Sequence, residues 1–142
     1  MPAKYLLDTN ILSQLIKDPH GVVTQRLAVL GDDEICTSIV VAGELRYGAL
    51  RRASPTLTQK VEDLLNAIPV LPFEANADQH YAEIRTILEQ TGQIIGGNDL
   101  LIAAHARALD AILVSHNVRE FSRVPGLRLE DWLNLPLLPA IP

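Results

Sequence analysis

The sequence predicts an α/β fold, a central and mostly parallel β-sheet flanked by helices. Three observations predict it. Short apolar runs alternate along the chain with longer segments whose apolar residues recur at helical spacing. The runs are joined by those helical segments and not by tight hairpin turns, which is the pattern of parallel strands covered on both faces. The chain of 142 residues is 48% hydrophobic and 20% charged, enough to bury one core without staples. A single domain over residues 1–142 is therefore expected.

The elements follow in order. Residues 4–7, KYLL, form a short apolar run expected to be a buried strand. Ile11, Leu12, Leu15 and Ile16 share one helical face, so 10–17 is expected as a helix, broken at Pro19 and Gly21. A second helix is expected over 22–30, closed by Gly31, and a second strand over 34–37. Ser38 can cap a helix at 39–52. Ser54-Pro55 starts a helical stretch at 56–67, since proline is tolerated in a first turn. A third strand at 70–73 precedes a long helix at 75–91, which Gly92 ends. The loop 94–97 leads into a helix at 99–109 and a fourth strand at 111–115, AILVS. Residues 127–129 suit a short edge strand. A proline-rich tail begins near residue 133, where Pro136, Pro139 and Pro142 favour extended chain.

Several function classes fall away on composition. Cys36 is the only cysteine, so no internal disulfide can form. No run of 18 apolar residues occurs, so no membrane span is expected. The first residues reach Lys4 and Asp8 at once and do not read as a secretory signal, which makes a cytoplasmic location the expectation. The net charge of −5 counts against generic nucleic-acid binding, for which a basic face is expected.

Ligands of open α/β sheets bind beyond the carboxyl ends of the strands. Asp8 ends the first strand, and Ser115-His116-Asn117 ends the AILVS strand. Glu44 lies close to the apolar stripe of VVAGELRYGAL, and Asp99 opens DLLIAAHARAL on its inward face. Such carboxylates gathered in one place would repel by about 4 kcal/mol per pair at 4 Å and an effective dielectric of 20, so they would call for a proton or a hard cation. Each also has a plain structural reading. Asp8 can cap the next helix, Asp99 can complement a helix N-terminus, and Glu44 can be a buried group with a local partner. They stand far apart along the chain, and no short-range rule says that they meet.

The strings that carry these residues resemble the PIN-domain family, and within it the VapC-type toxins of toxin–antitoxin pairs. KYLLDTNILSQLIK is similar to the family's first strand, first acidic residue and following helix. VVAGELRYGAL and IIGGNDLLIAAHARAL are similar to the segments of the second and third acidic residues. VSHNVREFSRVPGLRLEDW is similar to its last part, so the match runs from Lys4 to Trp132. The resemblance implies a PIN-like fold, Mg2+ with Mn2+ as a substitute, and hydrolysis of RNA phosphodiester bonds by metal-activated water. It implies Asp8, Glu44 and Asp99 as catalytic, metal-holding carboxylates, with Asn117 as a fourth ligand and Glu120 supplying further charge. Asn117 stands where many members have an acid, and His116 departs from the Thr-Asn-Asn of related toxins.

The resemblance further implies a VapB-type antitoxin, a homodimer and an RNA substrate, initiator tRNA among them. It also implies an antitoxin segment lying along the toxin and reaching the acidic pocket with a basic side chain. The helices at 10–17 and 39–52 are the expected walls of its groove. Arg46, Arg51, Arg52, Arg119, Arg123 and Arg128, with Tyr47, could line an RNA path, although solvated ion pairs account for most such residues singly. Asp-Thr-Asn also resembles haloacid-dehalogenase phosphatases, but Asn10 occupies the place of the second aspartate they need. Gly96-Gly97 lacks the strand-to-helix context of a dinucleotide-binding turn. The remaining alternative is a catalytically degenerate PIN module that binds protein or RNA.

Overall fold

The computed structural model describes residues 4–134. Five parallel strands form one sheet in the order β3-β2-β1-β4-β5. They are β1 (Tyr5–Leu7), β2 (Ile35–Ser38), β3 (Val70–Leu71), β4 (Ile112–Val114) and β5 (Arg128–Glu130). From β1 the chain winds to one edge through β2 and β3. It then crosses back to lay β4 beside the other side of β1, with Leu6 opposite Leu113. The strand order thus reverses at β1 and β4, and a crevice is expected beyond their carboxyl ends.

The seven helices among the described residues are α1 (Thr9–Lys17), α2 (Val22–Ala28), α3 (Ile39–Arg52), α4 (Pro55–Ala67), α5 (Ala77–Gln90), α6 (Gly97–Ala108) and α7 (Val118–Phe121). Most of the expected elements are present, with shifted ends. The third strand stops at Leu71 and does not reach Phe73, because Pro72 has no N–H to continue a ladder. The expected helix at 22–30 ends at Ala28 and is followed by a single 3₁₀ turn at Asp32–Glu34. α6 starts at Gly97, ahead of the expected Asp99, and so places Asp99 within its first turn. Residues 118–121, assigned to no element from the sequence, form α7. The proline-rich tail expected from about 133 falls almost wholly outside the described residues.

Leu6, Leu7, Leu113 and Val114 of the central strands are fully buried. α6 packs beside α3 and α5 and is buried on nearly every face, including Ile102, Ala103, Ala104 and Ala106. Its alanines allow that close approach, because they present little side-chain volume. Trp132 closes the far edge, its ring centroid 5.8 Å from that of Tyr5, and its indole N–H donates to Glu130 Oε1 at 3.0 Å. Cys36 is fully buried in β2, and burial pushes its thiol up to about 11.

One polar contact ties the helices together inside this core. Ser38 caps α3 by accepting from the Val40 N–H at 3.1 Å. Its own hydroxyl lies 2.8 Å from Nδ1 of the buried His105 on α6. Burial lowers the histidine's pKa, so the ring is neutral and Nδ1 accepts the serine proton. No described helix is long and apolar enough to cross a membrane.

Candidate active site

Asp8 follows β1 directly, and its backbone N–H extends the sheet by donating to Val114 O at 2.9 Å. It occupies the N-cap position of α1, yet its side chain makes no capping bond there. Instead the carboxylate, only 4% exposed, accepts from Ser115 Oγ at 2.7 Å. Ser115 reaches it because β4 is paired with β1 and ends beside it. Burial raises the Asp8 pKa, the Ser115 and Thr9 hydrogen bonds oppose that rise, and Glu44 adds a smaller upward push.

Asp99 arrives from α6. Burial, then the charges of Asp8, Glu44 and Glu120, raise its pKa to about 6, against a lowering by Asn117. Asn117 donates its side-chain N–H to Asp99 Oδ2 at 3.0 Å and is itself positioned by a backbone N–H to Ser115 Oγ at 2.9 Å. Glu44 comes from α3 and is half-buried. Thr9 Oγ1 donates to one of its oxygens and Asn98 Nδ2 to the other, the latter at 3.2 Å.

Asp8, Glu44, Asp99 and Asn117 thus line one cavity of about 530 Å³, together with Thr9, Asn10, Lys17 and His116. Glu120 does not line it. It sits half-buried on α7 and acts on Asp99 through its charge alone. Among the described residues, no lysine, arginine or histidine forms an ion pair with Asp8, Glu44, Asp99 or Glu120. Nor do any three histidine, cysteine, aspartate or glutamate side chains there stand close enough to hold one ion between them. The donor set is all oxygen, lines one cavity and has no ion-pair partner among the described residues. That suits a hard divalent cation which keeps several of its waters.

A second depression of about 780 Å³ adjoins the first and shares Thr9, Ser13, Lys17 and Glu44 with it. α1 and α3 form two of its walls, as expected. α4 forms the third, through Leu57, Lys60 and Val61, and nothing in the sequence had marked that role. Gly48 lies on its floor, and a Cβ there would meet no atom within 4 Å.

The basic residues divide. Arg46 makes a two-pronged pair with Glu62 at 2.9 and 3.0 Å. Arg123 donates to Ile94 O at 3.0 Å, and Arg128 to Asp110 Oδ1 at 3.1 Å. These three hold structure. Arg51, Arg52 and Arg119 have no such partner among the described residues, and Arg52 lines the groove. Thr9, Lys17 and Asn98 escaped the sequence reading as members of the site. Thr9 and Asn98 reach Glu44 from segments distant in sequence, and Lys17 only lines the cavity, so none leaves a local pattern.

The PIN domain family matches residues 5–127 of this chain. Ribonuclease VapC2 of Rickettsia felis is 41% identical over 130 residues, covering 90% of this chain and 97% of its own. The tRNA(fMet)-specific endonuclease VapC of Shigella flexneri is also 41% identical over 130 residues, covering 91% and 98%. Among solved structures, VapBC2 from Rickettsia felis bound to a DNA fragment from their promoter superposes with a TM-score of 0.83 at 39% identity, over 90% of this chain and 98% of that one.

Proposed function

This chain belongs to the PIN-domain family, and from that premise we propose that it is an endoribonuclease, the VapC-type toxin of a toxin–antitoxin pair, cutting RNA in the cytoplasm. The observation that carries the chemistry is the set of three carboxylates, one buried and two half-buried, that line one cavity and form no ion pair among the described residues. The tRNA(fMet) specificity named for the Shigella flexneri relative makes initiator tRNA the first substrate to try.

Asp8, Glu44 and Asp99 would hold Mg2+, or Mn2+ in its place, with the Asn117 carbonyl oxygen as the fourth donor. The cation supplies a Lewis acid that offsets phosphate charge and makes water a usable nucleophile at neutral pH. Ser115 fixes the orientation of Asp8, Asn117 that of Asp99, and Thr9 with Asn98 that of Glu44. Each carboxylate therefore meets its task already oriented, and little reorganisation is left for the reaction. Glu120 acts from outside the cavity by adding negative charge near Asp99.

The net charge of −5 remains set against an anionic substrate. A bound cation reverses the sign at the point of attack. Lys17 on the cavity wall, with Arg52 in the adjoining groove, supplies positive charge beside it. A homodimer would set two such rims side by side. The antitoxin's terminal segment lies in the groove of α1, α3 and α4, and a basic side chain from it enters the cavity through the wall the two depressions share. An arginine pairing with these carboxylates would exclude both cation and RNA.

The test is cleavage of initiator tRNA by the purified chain with Mg2+, with EDTA, and in the variants D8N and D99N. Cleavage should need the cation and fall at least about 100-fold in either variant. A chain that binds RNA but does not cut it under any divalent cation is a degenerate module, and the ribonuclease reading is then wrong.

A further inference from the structure

His116 sits on the rim of the acidic cavity and belongs to none of its carboxylate–amide pairs. It lines the same space as Asp8, Asp99 and Asn117, and its side chain is 50% exposed. The backbone at this residue is pinned, because its N–H donates to Asn10 Oδ1 at 3.1 Å. Its ring is pinned on one side only, with Nδ1 lying 3.1 Å from Asp131 Oδ2. An ionised carboxylate accepts and cannot donate, so Nδ1 carries the hydrogen. Asp131 is itself held, because Oδ1 accepts from the Leu133 N–H at 3.0 Å and Oδ2 from Asn134 Nδ2 at 3.1 Å. The carboxylate is 11% exposed. Nε2 is left without a partner among the described residues, on the solvent side of a ring whose position is fixed.

We infer that His116 is a substrate-binding residue: Nε2 makes a hydrogen bond to the RNA sugar–phosphate backbone beside the scissile bond, and Asp131 is the positioning residue that orients the ring. The inference rests on the ribonuclease reading of this cavity. The scissile phosphate has to reach the carboxylates, so the adjoining sugar or phosphate passes the rim where His116 stands. An imidazole nitrogen can serve either group. It can accept from a ribose 2′-hydroxyl or donate to a phosphate oxygen. Asn10 also lines the rim, but its Oδ1 is already engaged by the His116 N–H, whereas Nε2 of His116 is open. His116 therefore belongs to the recognition of the substrate, apart from the cation-holding set.

The test is fluorescence anisotropy with the full chain carrying D99N, so that RNA is bound without being cut. The probes are a short labelled RNA hairpin with a single-stranded loop and the same hairpin with deoxyriboses throughout the loop. H116A should weaken binding of the RNA hairpin roughly five- to tenfold, the worth of one hydrogen bond. Its thermal midpoint should stay within about a degree of the parent, because a half-exposed side chain contributes little packing. H116Q should recover part of the affinity. D131N should weaken binding too, but add nothing in the presence of H116A. A loss confined to the all-RNA probe assigns the contact to the 2′-hydroxyl, and an equal loss on both probes assigns it to phosphate. Unchanged affinity in H116A, or fully additive losses in H116A and D131N, overturns the inference. Cleavage by the chain with Asp99 restored is scored separately. His116-dependent binding without any cleavage supports this contact and defeats the ribonuclease reading instead.

Discussion

The acidic cavity and the groove beside it share four residues and hold their shapes by opposite means. In the cavity, every carboxylate of the set has a hydrogen-bond donor assigned to it, from Ser115 to Asp8, from Asn117 to Asp99, and from Thr9 and Asn98 to Glu44. Those donors fix geometry but leave net negative charge in a half-buried place, and the raised pKa of Asp99 records the cost. In the groove, Leu45, Ala49 and Val61 are buried by packing, and the floor at Gly48 is open. The difference teaches which ligand each region calls for. One lacks positive charge and the other lacks apolar volume, so a peptide with apolar side chains and one basic residue satisfies both at once.

Filling the groove should break that comparison most sharply. G48W places a large ring where a Cβ meets nothing, on a helix that gains by losing a glycine. Antitoxin affinity, measured by titration calorimetry, should fall by at least about 30-fold, the scale of a lost hot spot. RNA cleavage should stay within about twofold. Equal loss of both functions would mean that cavity and groove are one site.

A smaller effect should separate the residues within the cavity. N117A removes both a hold on Asp99 and the proposed fourth oxygen, so Mg2+-dependent kcat/KM should drop about tenfold. E120A should cost about two- to threefold, since Glu120 lies outside the cavity lining and acts on Asp99 through its charge. If E120A alone loses activity, the order of the two is reversed.

The smallest effect is on stability. The folded-state pKa of Asp99, about 6, lies above its ordinary 3.8. Between those values the folded chain binds a proton that the unfolded chain does not, so the metal-free protein gains stability as pH falls from about 6 towards 4. Above pH 6 the full penalty is present. After discounting for partial exposure the gain is about 1 kcal/mol, a few degrees in Tm. His105, buried and neutral, contributes the opposite trend, so the quantity to read is the difference between wild type and D99N. Saturating Mg2+ should flatten that difference. A wild-type profile parallel to that of D99N without metal would show that Asp99 carries no such strain.

The order of the elements was readable from periodicity, and Asp8 was readable from its place at a strand end. Asp99 was marked by its inward phase on α6, and Glu44 by its nearness to an apolar stripe. What could not be read was how these residues meet. Thr9 bonds Glu44 across 35 positions and Asn98 bonds it across 54, contacts that only the crossing of α1, α3 and α6 creates. α7 escaped because four residues carry too little periodicity to be told from loop. The start of α6 escaped because Gly96 and Gly97 read as loop by propensity, while packing of the helix behind them decides the matter. The wall made by α4 escaped because a helix shows its inward stripe in sequence and says nothing about which neighbour leaves a gap.

The single buried thiol of Cys36 makes the chain a blank for chemical labelling. Its sulfur is fully shielded and stays protonated, with a pKa of about 11, so maleimides and similar reagents find almost no thiolate to attack. A cysteine introduced on the open floor of the groove, or on the cavity rim, would therefore be the one reactive thiol in the molecule. A fluorophore placed there would report the arrival of a peptide or an RNA in real time, with no background from the native sequence and no residue of the core altered.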